Sequence, residues 1–138
     1  MVVAVCEEII RRRNWGRVRC GVSSGAASAT DVASEFQLSI DPSCYREIDE
    51  SAARAIAMHV LNKDLAYHAE VMPAHEASQL VAQFFDLCCT SGCRFFTNGD
   101  FSVNRSASWT AATEATFDTG VLVVGQDRAG CLWVEDED

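Results

Sequence analysis

The chain has 138 residues, 49% of them apolar and 22% charged, with a formal net charge of −9. That length suits one ordinary domain with a single buried core, and it contains no run of roughly 18 apolar residues that would suggest a membrane span. So large an excess of acid repels nucleic-acid phosphates and anionic lipid, so neither is expected as a partner, and any charged partner is expected to be basic.

The charge is uneven. Residues 1–35 carry five arginines against four acids, and the remainder carries six basic residues against 16 acids. Met1–Cys6 runs straight into Glu7 and Glu8, without the basic opening and long apolar stretch of a secretory signal. The seven cysteines are odd in number and are not spaced like a disulfide framework. Free, mostly buried thiols in a reducing cytoplasm are therefore expected.

Met1–Arg13 reads as a short helix or strand. In Trp15–Val22, Val18, Cys20 and Val22 alternate with Arg17 and Arg19, predicting a strand with one wet face. Ser23–Ser34 is small and polar, a loop or weak helix. Phe36, Leu38 and Ile40 alternate with Gln37 and Ser39 ahead of Asp41-Pro42, predicting a strand closed by a turn. Asp49-Glu50-Ser51 supplies a cap and acids for a helix through about Asn62, with Ala52, Ala53, Ile56, Val60 and Leu61 on one face. Leu65–Val71 alternates as a short strand does, with a continued helix as the competing reading.

Pro73 suits a helix start, and Ala77, Leu80, Val81, Phe84, Leu87 and Cys88 recur at helical spacing up to Ser91-Gly92. Cys93–Thr97 and Asp100–Val103 flank Asn98-Gly99 as a hairpin on a type I′ turn. Asn104–Ala115 is a polar loop carrying Trp109. Phe117–Val124 and Cys131–Glu135 form a second hairpin, and Val121–Val124, apolar on both faces, belongs in a covered central strand. The acidic end, Glu135–Asp138, reads as frayed and solvated. The layout predicts an α+β fold, an antiparallel sheet of about five or six strands with two main helices packed on one face. Residues 1–138 are expected to form a single domain, with 35–138 as the compact core and 1–34 as the less defined segment.

Several motifs imitate catalytic signatures. Gly21-Val22-Ser23-Ser24-Gly25 matches the nucleophile elbow, but the βαβ repetition that presents such a serine is missing. Asp118-Thr119-Gly120 matches the aspartic-protease triplet, whose chemistry needs a second carboxylate sharing the proton, and here the motif lies too near the end of the chain. Cys88, Cys89 and Cys93 cluster at a helix end with no second cysteine knuckle, so no metal is expected. His75-Glu76 lacks the second histidine of the zinc-protease motif, since position 79 is Gln. No cofactor is expected.

Three functional readings follow. The favoured one is a non-enzymatic binding or inhibitory protein that neutralises a basic partner as an immunity protein would, through Trp109, Asp118, Trp133, Glu135 and Asp136. The second is a small enzyme or ligand-binding domain with a pocket between helices and sheet, built from Tyr67, His68, Asp118 and Cys131. The third is a self-associating structural protein, a homodimer with Val121–Val124 at the subunit boundary.

Overall fold

Four consecutive apolar residues, Val121–Val124, can satisfy both faces of a strand only in the middle of a covered sheet. They sit there, with no more than 4% exposure. The computed structural model describes residues 3–89, 92–100 and 108–137, and for Asp100, Ser108 and Trp109 it describes the backbone. In chain order the elements are α1 (Ala4–Arg12), β1 (Arg17–Ser24), α2 (Ala29–Glu35), a 3₁₀ turn (Pro42–Cys44), β2 (Arg46–Ile48), α3 (Glu50–Asn62) and α4 (Ala74–Cys88). There follow β3 (Arg94–Thr97), β4 (Gly99–Asp100), β5 (Ser108–Trp109), β6 (Phe117–Val124) and β7 (Arg128–Asp136). The fold is α+β. Five strands pair in the order β1-β7-β6-β3-β2, antiparallel throughout, and β4 pairs with β5 as a separate ribbon.

The period-2 alternation of the central strands sends side chains to two different cores. Val121, Val123 and Leu132 meet Cys6 and Ile9 of α1, Ala53, Ala57 and Leu61 of α3, and Leu80, Phe84 and Phe85 of α4. Leu122, Val124, Cys131 and Trp133 point the other way, onto Val32 and Ala33 of α2, Leu38, Cys44 and Ala112. The two main helices thus share one face with α1, and α2 covers the other. Gly130 lets α4 lie directly on the sheet, since a Cβ there would collide with Cys88 Sγ and crowd Phe84.

Local chemistry explains the helices. Asp49 accepts the Ala52 N–H at 2.8 Å, capping α3, and Ser28 accepts the Asp31 N–H, capping α2. Residues 3–34 contribute core side chains and the whole of β1, which pairs with β7 along eight positions. Among the described residues no helix is long and apolar enough to cross a membrane.

Five expectations are corrected. Phe36–Ile40 is not a strand. Gln37 takes φ +62°, the Leu38 N–H reaches back to Ala33 O and the Gln37 N–H to Ser34 O. This is the Schellman closure of α2, with glutamine in place of the usual glycine. Leu38 is then buried and Ile40 is 68% exposed, so the alternation arises without a ladder. Leu65–Val71 is neither strand nor helix. Buried Asp64 accepts the N–H groups of Tyr67 at 3.0 Å and Ala69 at 2.6 Å, folding the segment into a tight loop with His68 at φ +58°.

Asn98-Gly99 does not turn a hairpin. Neither residue has the positive φ that a type I′ turn requires, and β3 is an interior strand between β2 and β6. Phe101–Val103, its expected second strand, lies outside the described residues. The acidic end is not frayed at Asp136, which is fully buried. Finally, the cysteines are not all free: Cys89 and Cys93 are joined in a disulfide just beyond α4, and Cys6, Cys20, Cys44, Cys88 and Cys131 are buried free thiols.

Candidate functional site

The residues singled out from sequence are scattered. Trp133 is fully buried and donates its indole N–H to Asp118 Oδ1 at 3.1 Å. Asp118, 1% exposed, also accepts from Asn98 Nδ2, the main-chain N–H groups of Ala112 and Thr113, and the Thr113 hydroxyl. This carboxylate is saturated with donors, as a buried charge must be. It pins the 111–115 segment against β6, and among the described residues it has no second carboxylate as a partner. Asp136 is locked to Arg13 inside the protein. Glu135 lies at the surface with little exposure, paired with Arg19 and Arg17. The side chain of Trp109 lies outside the described residues.

The four pocket candidates do not converge. Tyr67 and His68 stand exposed on the loop after α3, while Asp118 and Cys131 are buried on the α2 side of the sheet. His68 instead faces His59, their ring centres 5.7 Å apart. Ser23 lies on β1 and donates to the carbonyl of Ser24. Burial pushes the Cys88 thiol up to about 12 and raises Cys20 and Cys131 as well, which makes poor nucleophiles of them. Among the described residues no three His, Cys, Asp or Glu side chains come close enough to share a metal ion.

An open cleft of 850 Å³ lies on the α2 side of the sheet. Its floor is Arg17 and Arg19 of β1 with Glu135 and Glu137 at the end of β7; Gln37–Ser39 and Ala111–Ala115 form its walls. The walls are tied together and held from behind. Ser39 N–H donates to Ala112 O at 2.9 Å, the Tyr45 hydroxyl donates to Ser39 O at 2.6 Å, and Asp118 grips Ala112 and Thr113. Sequence reasoning picked out Glu135 but missed the rest of this site. Arg17 and Arg19 were legible as a wet strand face, whereas the walls come from two segments far apart in the chain.

No family model, curated protein or solved structure matches this chain.

Proposed function

We propose that the chain is a small acidic binding module whose partner is a basic protein, held without covalent chemistry. The observation that carries this reading is the contrast between what is exposed and what is buried. The free thiols and the carboxylates Asp64, Asp118 and Asp136 are sequestered, while the surface keeps Glu7, Glu35, Asp86, Glu114, Asp127 and Glu137 facing water. A net charge of −9 on such a surface speeds encounter with a positive partner and selects against negative ones. An inhibitor of a basic enzyme or toxin fits this pattern. The pocket-enzyme reading lacks a meeting point for its four residues. The Val121–Val124 strand, covered on both faces, offers nothing to a second copy.

The test is affinity capture from a lysate on the immobilised chain, followed by a salt gradient and mass spectrometry. Retained proteins should be rich in Lys and Arg, and their association rate should fall at least about tenfold between low and high salt. A retained set that is acidic or neutral and indifferent to salt refutes the reading.

A further inference from the structure

The floor of the cleft has a charge imbalance. Arg19 Nη2 lies 3.1 Å from Glu135, and Arg17 Nε lies 3.7 Å from the same carboxylate. Arg17 is 65% exposed, so its long contact is weak. Both guanidiniums are thus turned to one acid, and Glu114 and Glu137, which also line the cleft, meet no cation among the described residues. Among the described residues, Glu137 accepts only from the Thr116 N–H and hydroxyl.

Arg19 supplies a second, independent sign. Its Nη1 donates to Phe36 O at 3.1 Å and its Nη2 to Glu135, but its Nε is buried with no acceptor, alone in this among the described side-chain nitrogens and oxygens. Buried donors are rarely left unpaired, so this one calls for an oxygen from elsewhere. A polyamine would bring only the cation that Glu114 and Glu137 lack, and a small carboxylate would bring only the acceptor. A polypeptide segment with a basic side chain brings both. The walls that would receive it are already fixed by Asp118, Tyr45 and the Ser39–Ala112 hydrogen bond, which keeps the ordering cost of docking low.

We infer that this cleft docks an extended segment of the basic partner, with a lysine or arginine side chain set between Glu114 and Glu137. A main-chain carbonyl of the segment is taken by Arg19 as its guanidinium turns toward the opening. The inference rests on the reading above, that the partner is basic, and adds where and how it binds.

The full chain, labelled with ¹⁵N, is titrated with acetyl-Gly-Arg-Gly-Lys-Gly-Arg-Gly-amide, with its glutamate counterpart, and with spermine. The basic peptide should give saturable shifts at Gln37–Ser39 and Ala111–Ala115. Spermine, and the Glu114→Lys/Glu137→Lys variant with the peptide, should bind at least about tenfold more weakly, and the acidic peptide not at all. Glu114→Gln/Glu137→Gln, with amide dispersion as the check of fold, guards against a charge-reversed chain that misfolds. Three results overturn the site: shifts confined to other surfaces, unchanged affinity in both variants, or no binding up to about 1 mM. If both variants still capture the same basic proteins as the unaltered chain, the basic-partner reading stands and only the site falls. If the unaltered chain captures no basic protein, the reading itself falls.

Discussion

Arg13 and Asp136 meet as a two-pronged ion pair with no solvent exposure on either side chain, Nη1 to Oδ1 at 3.1 Å and Nη2 to Oδ2 at 2.8 Å. The remaining N–H groups of the guanidinium reach the carbonyls of Trp15, Val60 and Lys63, and Asp136 also accepts the Leu65 N–H. One side chain therefore fastens the ends of α1, α3 and β7 together. The charges are desolvated but fully partnered, the condition under which a buried pair is tolerated.

Removing either partner strands the other charge. Asp136→Ala or Arg13→Ala should lower unfolding free energy by about 3–5 kcal/mol, read from urea denaturation. Arg13→Met/Asp136→Met should cost less than the sum of the two single changes, because no charge is left alone, although three carbonyls still lose their donor. A loss below about 1 kcal/mol for Asp136→Ala would contradict the burial described.

Asp118 collects donors from β6's surroundings in the same manner, but its partners hold a wall of the cleft. Asp118→Ala leaves the Trp133 indole and the Ala112 and Thr113 amides without an acceptor, and should cost about 3 kcal/mol or more. It should also shift Trp133 fluorescence and speed amide exchange at 111–115. Stability lost without faster exchange there would show that Asp118 does not anchor the wall.

Much of this architecture was readable in advance where its causes are local. α3 announces itself through a capping aspartate and α4 through a leading proline and an apolar stripe, and the β6–β7 hairpin through its double-faced apolar run. What escaped depends on distance along the chain or on a residue in an unusual role. Asp136 looks like part of a solvated acidic tail until Arg13, 123 positions earlier, is seen beside it. Gln37 does a glycine's work at the end of α2, so Phe36–Ile40 imitates a strand. Asn98 spends its amide on Asp118 and Thr110 rather than on a turn. The cleft, assembled from β1, β7 and two loops, leaves no local pattern at all.

His59 makes stability depend on pH. Partial burial, then the facing His68, Lys63 and Arg13, hold the His59 pKa below the usual 6.5. The unfolded chain binds that proton more readily than the folded one. The stabilising contribution is thus present above pH 6.5 and lost as pH falls through the range just below it. Urea midpoints between pH 7.5 and pH 5.5 should decline, and His59→Gln should flatten the decline (about one proton's worth of slope). Equal slopes with and without His59 would rule this group out.

The sulfur chemistry gives a direct count. In denaturant without reductant, Ellman's reagent should find thiols at Cys6, Cys20, Cys44, Cys88 and Cys131, with Cys89 and Cys93 joining them only after reduction. Opening so short a loop should cost about 2 kcal/mol on the chain-entropy model, measured as a lower urea midpoint for Cys89→Ser/Cys93→Ser. All seven cysteines reacting at once would mean the bond does not form.

The placement of β1 beside β7 shapes how the protein is made. Every rung of that ladder joins residues on the order of a hundred positions apart, among the most distant pairings a chain of this size allows, and such contacts form late because long loops must close first. Helices α3 and α4 can condense early around their own apolar stripes. During synthesis the partly built sheet must wait with β6 lacking its neighbour, so aggregation risk and any need for a chaperone should peak just before the β7 residues leave the ribosome.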